Sequence, residues 1–137
     1  MTERRAEVLA VLGKLADAWN EGDAAAYAHL FTEDADYVTF FGMNMPGRVI
    51  IESAHRSLFG GLLKGSKLVA GSEEPKVRFV RPDVAIVVSG GGSSLAGGEP
   101  EPGRESTLTY VLVEESEGWR VASFQNTRVS DPAASAA

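Results

Sequence analysis

The chain has 137 residues, 44% of them hydrophobic, with 13 basic and 19 acidic side chains and a formal net charge of −6. This length is typical of one domain, the acidity disfavours a nucleic-acid surface, and no apolar run reaches the roughly 18 residues that a membrane span needs. Because the sequence has no cysteine, disulfides, thiolate metal sites and cysteine nucleophiles are excluded. No cationic, apolar leader precedes the first helical pattern, so we expect a cytoplasmic protein.

The first predicted elements are helices. Apolar residues recur at three- and four-residue intervals over residues 3–20, which predicts an amphipathic helix. Gly22 suits the corner that follows, and Asp23 suits the N-cap of a second helix over residues 24–31. Residues 49–59 return to helical spacing and predict a third helix.

The predicted strands are rich in β-branched and aromatic residues. They cover residues 37–41, 67–70, 76–80, 84–88, 107–113 and 119–129. Residues 33–36 are predicted to form an acidic turn, and the glycine-rich residues 89–103 a long mobile connection. Helices followed by consecutive strands predict one α+β domain over residues 1–130, with a curved, mostly antiparallel sheet packed against about three helices. The Ala-rich residues 131–137 are predicted to be a disordered tail.

Four segments occur in order between positions 18 and 127, namely AWNEGD, LFTEDADYV, GRVIIESAHRSLF and GWRVASFQNT. Their sequence and spacing resemble the nuclear transport factor 2-like (SnoaL-like) superfamily, over about residues 5–129. Within it the chain is similar to the SgcJ/EcaC-type group, whose members accompany enediyne and other polyketide antibiotic biosynthesis. The resemblance implies a cone-shaped, cystatin-like fold with a deep apolar cavity, and a homodimer formed through the outer sheet face.

Strand alternation predicts which side chains line such a cavity. On the sheet they are Tyr37, Thr39, Phe41, Ser123, Gln125 and Thr127. In a cone the inner helix faces are both core and pocket wall, which adds Leu15, Trp19 and Phe59 to the predicted ligand-binding residues.

The same alternation places Phe124 on the outer face of the last strand, together with Arg120, Ala122 and Asn126. A large aromatic side chain among polar neighbours is more simply explained by a partner chain than by water. This pattern therefore supports the predicted homodimer.

Catalysis of the ketosteroid isomerase type is not supported by the residues at the matching positions. Those relatives use a carboxylate base, a tyrosine donor and a protonated carboxylic acid, whereas the gap-free match places Thr39 and Leu15 at the first two positions. His55 matches an inward tyrosine of the isomerases and is the candidate catalytic residue, because a neutral imidazole can donate and accept a proton near pH 7. The alternative is a structural histidine with satisfied hydrogen bonds.

Glu52 and His55 have the spacing of two metal ligands on one helix, but stable sites need three or four ligands. With His29 as the only other histidine, we predict no metal site and no cofactor.

Three functions remain open. The first is binding of a small apolar, polyene or aromatic intermediate of a polyketide or enediyne pathway, which an aromatic-rich pocket without an acid–base pair favours. The second is a cyclase, isomerase or dehydratase in which His55 acts with Thr39, Tyr37 or Gln125. The third is a pure association domain. Nucleic acid and membrane are not expected partners.

Overall fold

The computed structural model of the chain describes residues 2–95 and 103–133. The described elements are α1 (Thr2–Glu21), α2 (Ala24–His29), β1 (Phe31–Val38), α3 (Arg48–Phe59), β2 (Lys67–Ala70), β3 (Lys76–Arg81), β4 (Val84–Ser94), β5 (Ser106–Glu115) and β6 (Gly118–Arg128). Among these elements, no helix is both long enough and apolar enough to cross a bilayer.

The strands form one mixed sheet in the order β1-β6-β5-β4-β2, and β3 also pairs with β4. Strand β3 pairs with the first half of β4 and β2 with its second half. Only β1 and β6 run parallel among the described strand pairs. The helices and one sheet face share a core that includes Val8, Leu15, Ile51, Val87 and Leu112. The predicted α+β arrangement with a mostly antiparallel sheet is therefore confirmed.

The corner between α1 and α2 forms as predicted. Gly22 has a φ of +68°, and Asp23 Oδ1 accepts a hydrogen bond from the Ala26 N–H at 3.0 Å. The second helix, however, ends at His29 rather than at residue 31. The predicted acidic turn at residues 33–36 lies instead within β1, where Phe31 and Asp36 both pair with β6 and the register shifts between them.

The prediction that residues 89–103 form one connection was wrong for residues 89–94, which continue β4. Glycine is needed here because other backbone segments approach closely: a Cβ added at Gly92 would lie 2.9 Å from the Arg104 carbonyl oxygen. Residues 96–102 of the predicted connection, and residues 134–137 of the predicted tail, lie outside the described residues.

A β-bulge in β6 reverses the side-chain alternation used to predict the cavity face. The pairing with β5 passes from Leu112–Val121 to Val111–Ser123, so that Ala122 is an extra residue. A bulge of this kind shifts every later side chain to the other face of the sheet.

Burial follows the shifted alternation. Phe124 is buried at 5% exposure in the core, whereas Gln125 and Thr127 are exposed and Ser123 is half-buried on the opposite face. The prediction that Ser123, Gln125 and Thr127 face the interior was therefore wrong, as was the outward placement of Phe124.

Candidate functional site

Aromatic rings from the helices and the sheet meet on the inner sheet face. The aromatic–histidine cluster consists of Trp19 from α1, Tyr27 from α2, Tyr37 from β1, and His55 and Phe59 from α3. Their contacting rings have centroids 4.7 to 6.4 Å apart. These side chains therefore fill the space between α3 and the start of the sheet.

A hydrogen-bond chain runs through the cluster in a defined direction. His55 Nδ1 lies 2.7 Å from the Ile51 carbonyl oxygen, so this nitrogen must donate. In the neutral imidazole Nε2 then accepts, and its partner is the Tyr37 hydroxyl at 3.2 Å. The Tyr37 oxygen can in turn accept from the Tyr27 hydroxyl, 2.9 Å away. The order of donation is Tyr27 to Tyr37 to His55 to Ile51.

Burial keeps Tyr27, Tyr37 and His55, the three titratable side chains of the hydrogen-bond chain, uncharged at neutral pH. Desolvation raises the pKa of Tyr37 to about 12 and raises the pKa of Tyr27 well above its ordinary value. Desolvation also lowers the pKa of His55 below 6.5, although the hydrogen bond to Ile51 partly opposes this shift. The cluster is therefore a neutral, ring-lined environment with its polar atoms paired.

The lowered pKa of His55 predicts a pH-dependent stability. The unfolded chain takes up a proton near pH 6.5 more readily than the folded chain, so the stabilisation is complete above pH 6.5 and is lost as the pH falls below it. We expect the wild type to lose up to about 1.4 kcal/mol of unfolding free energy per pH unit from this group. The H55Q substitution should remove this pH-dependent part of the unfolding free energy. Urea unfolding at pH 7.5, 6.5 and 5.5 measures the change.

The matched control is H29Q, which removes the other histidine from an exposed site and should leave the His55 component in place. An H55Q protein with the full wild-type pH dependence would show that His55 is not the responsible group.

The remaining predicted lining residues are divided between core and surface. Leu15 is buried in the core at 4% exposure. Thr39 is also buried, but its Oγ accepts a hydrogen bond from the Met43 N–H at 3.1 Å and so stabilises the turn after β1. Phe41 lies in that turn beyond the end of the strand and is 64% exposed. The predicted inward position of Phe41 was therefore wrong.

Trp19 is half-buried at the edge of the cluster, where Nε1 donates to Ser66 Oγ at 3.1 Å.

Two surface depressions of about 570 and 480 Å³ lie among the described residues. The first contains Phe59 between the α1–α2 corner and the end of α3, and the second surrounds Arg120 near the start of β1. Of the predicted lining residues, Phe59 lines the first of these two depressions.

The described residues contain no group of three or more side chains suited to hold a metal ion. The Glu52 carboxylate forms a salt bridge with Arg56 at 2.7 Å, whereas the His55 side chain is buried in the aromatic–histidine cluster. Asp36 is exposed and accepts a hydrogen bond from Asn44.

Sequence reasoning missed Tyr27 as a member of the hydrogen-bond chain. Its position on the apolar side of the second helix was visible, but its partner is set by the way α2 packs against β1. The prediction did name His55, Tyr37, Trp19 and Phe59, and the structure brings these four side chains together.

Comparison with known proteins agrees with this architecture. A family model described as a SnoaL-like domain matches residues 8–126. A domain of unknown function with a cystatin-like fold from Nostoc punctiforme is 31% identical with a TM-score of 0.87, over 98% of this chain and 83% of that chain. An uncharacterized protein with a cystatin-like fold from Caulobacter vibrioides is 26% identical with a TM-score of 0.80, over 98% and 95%.

An NTF2-like protein with a cystatin-like fold from Novosphingobium aromaticivorans is 23% identical, with a TM-score of 0.77 over 98% of this chain and 88% of that chain. No curated protein matches the sequence. The family model covers most of the chain, and each of these three structures superposes on 98% of it. The chain therefore belongs to the SnoaL-like domain family and has a cystatin-like fold.

Proposed function

We propose that this SnoaL-like domain binds a small apolar molecule of polyene or aromatic type, such as an intermediate of a polyketide or enediyne pathway. A SnoaL-like domain suggests either small-molecule binding or an isomerase or cyclase activity. The observation that favours binding is the neutral aromatic–histidine cluster, whose most accessible ring is the half-buried Trp19 and whose hydrogen-bonding groups each have a protein partner. Such surfaces bind apolar ligands through burial and dispersion rather than through proton transfer.

The cluster lies near one end of the sheet, where β2, the end of β4, the start of β5 and the end of β6 meet. We call this end of the sheet the mouth. Asn20 at the end of α1 accepts a hydrogen bond from the Leu68 N–H of β2 at 2.8 Å. Strand β2 pairs with the end of β4, where Gly91 faces Ser106 of β5, and Ser106 faces Arg128 at the end of β6. A ligand that enters at the mouth would approach the cluster from the side of Trp19, its half-buried member.

The two tryptophans of the chain allow a test of this position. Trp119 lies under the guanidinium of Arg4 near the start of α1, whereas Trp19 lies near its end, and 15 residues of helix correspond to about 22 Å. The probe is the methyl ester of cis-parinaric acid, a neutral polyene that accepts energy from tryptophan. We expect saturable binding that quenches the Trp19 emission of W119F more strongly than the Trp119 emission of W19F.

A ligand that binds the folded state alone must also raise the melting temperature of the wild type, and the rise must grow with the logarithm of ligand concentration above saturation. Absence of saturable binding, or equal quenching of the two tryptophans, would contradict the proposed site.

The enzyme alternative, with His55 as acid or base, is less well supported. Both imidazole nitrogens are hydrogen-bonded and His55 is only 1% exposed, so a substrate would have to displace Tyr37 to reach it. Gln125, one of its proposed helpers, is exposed on the opposite sheet face. If turnover of an enolisable substrate is found, its survival in H55A would exclude His55 as the catalytic residue.

A homodimer through the outer sheet face remains our proposal, supported by residues other than Phe124. Ile86 pairs with Val111 and lies next to Val88, which is 39% exposed, so an apolar patch spans β4 and β5. We expect V88D/V111D to shift the mass in light scattering from dimer to monomer at micromolar concentration, because a buried unpaired charge opposes association. T107D, at the rim of the same face, is the control, and a monomeric wild type would remove the proposal.

A further inference from the structure

We infer that the mouth carries an anion subsite, formed by Arg104 and Arg128, which binds the carboxylate of an otherwise apolar ligand. This inference rests on the proposed function and specifies its ligand class as an apolar carboxylic acid.

Sheet pairing places the two arginines beside each other at the mouth. Arg128 is at the end of β6 and faces Ser106 of β5, and Arg104 precedes Ser106 by two residues. Beyond the bulge, Asn126 and Arg128 share the alternation of Phe124, which belongs to the inner face. The subsite is therefore continuous with the inner face that contacts the aromatic–histidine cluster.

Each guanidinium is held by neutral groups. Arg104 donates from Nε and Nη2 to Ser93 Oγ, at 3.0 and 2.7 Å. The Arg128 guanidinium lies 4.0 Å from the centroid of the Phe40 ring, and Nη1 is 3.4 Å from the Gly103 carbonyl oxygen. These contacts restrain both side chains before any ligand arrives, which reduces the entropy cost of binding.

No described carboxylate lies within ion-pair distance of either guanidinium. Four other arginines, Arg4, Arg5, Arg56 and Arg120, each have a glutamate within 4 Å. The two mouth arginines instead lie close enough to repel, since burial and the charge of Arg104 both lower the pKa of Arg128. A carboxylate between them would relieve this repulsion and accept charge-assisted hydrogen bonds.

The surroundings fit the apolar part of such a ligand. Phe40, Phe41 and Met43 form an exposed turn beside Arg128, with Phe40 and Phe41 in edge-to-face contact. The mouth thus combines two cations that have no acidic partner among the described residues with exposed apolar rings, as an apolar carboxylic acid requires.

The test compares cis-parinaric acid with its neutral methyl ester by fluorescence titration at pH 7.5 and low ionic strength. We expect the wild type to bind the acid at least tenfold more tightly than the ester. In R104Q/R128Q the acid should lose at least tenfold in affinity, while the ester should bind as it does to the wild type. The charge-matched control R56Q/R81Q alters two exposed arginines elsewhere and should keep the preference for the acid.

Salt gives a second measurement that needs no variant. Raising sodium chloride to 0.5 M should weaken binding of the acid but not of the ester, because the added ions screen the guanidinium charges. Equal binding of acid and ester by the wild type, or an acid preference that survives in R104Q/R128Q, would overturn the subsite alone. Binding of neither probe would overturn the proposed function as well.

Discussion

Replacing Phe124 with alanine (F124A) is expected to lower the free energy of unfolding by about 3–5 kcal/mol, the usual cost of truncating a buried phenylalanine. The Phe124 ring is 5% exposed, and its centroid lies 4.5 Å from that of Tyr37 and 5.2 Å from that of Tyr110. Alanine would leave a void between three strands whose positions are fixed by sheet hydrogen bonds, so the cavity could collapse only in part. Urea unfolding monitored by circular dichroism measures the change.

The neighbouring variant Q125A is the matched control. Gln125 is exposed on the opposite sheet face, and its truncation should change the unfolding free energy by less than about 0.5 kcal/mol. Simple alternation along the strand predicts the reverse order, with Gln125 inward and Phe124 outward. A larger loss in Q125A than in F124A would therefore contradict the bulge at Ala122.

The sequence predicted best those features that depend on neighbouring residues. The corner between α1 and α2 needs a left-handed residue and a capping side chain, and Gly22 and Asp23 supply both within two positions. The third helix was placed within one residue of its observed start at Arg48, because its apolar spacing is regular.

Features set by distant segments were not predicted. Phe31 enters β1 rather than α2 because it pairs with Val121, which is 90 positions away. Gly92 belongs to a strand because it pairs with Val69 of β2, which is 23 positions away. The bulge at Ala122 has no local signal in the sequence, yet it decides which of the alternating side chains after Val121 face the core.

The candidate site shows the same division. The family resemblance identified His55, and alternation identified Tyr37 as inward, so two members of the hydrogen-bond chain were available from the sequence. The third, Tyr27, joins only because α2 packs across β1. Arg104 and Arg128 come together through the pairing of β5 with β6, and neither was a sequence candidate.

The direction of the hydrogen-bond chain predicts that its two tyrosine hydroxyls are not equivalent. Removing the Tyr37 hydroxyl (Y37F) leaves both His55 Nε2 and the Tyr27 hydroxyl without a partner in the interior. Because an unsatisfied buried polar group costs about 1–3 kcal/mol, we expect Y37F to lower the unfolding free energy by about 2–4 kcal/mol. Y27F leaves the bond from Tyr37 to His55 intact and should cost about 0.5–1.5 kcal/mol.

The double variant Y27F/Y37F tests whether the two hydroxyls belong to one hydrogen-bond chain or act independently. Once Tyr37 is phenylalanine, the Tyr27 hydroxyl is a buried donor without a partner, and its removal should no longer cost stability. We therefore expect the double variant to be at least as stable as Y37F in urea unfolding, which is a strongly non-additive result. Additive losses would show that the two hydroxyls act separately, because only a shared hydrogen bond couples their removal.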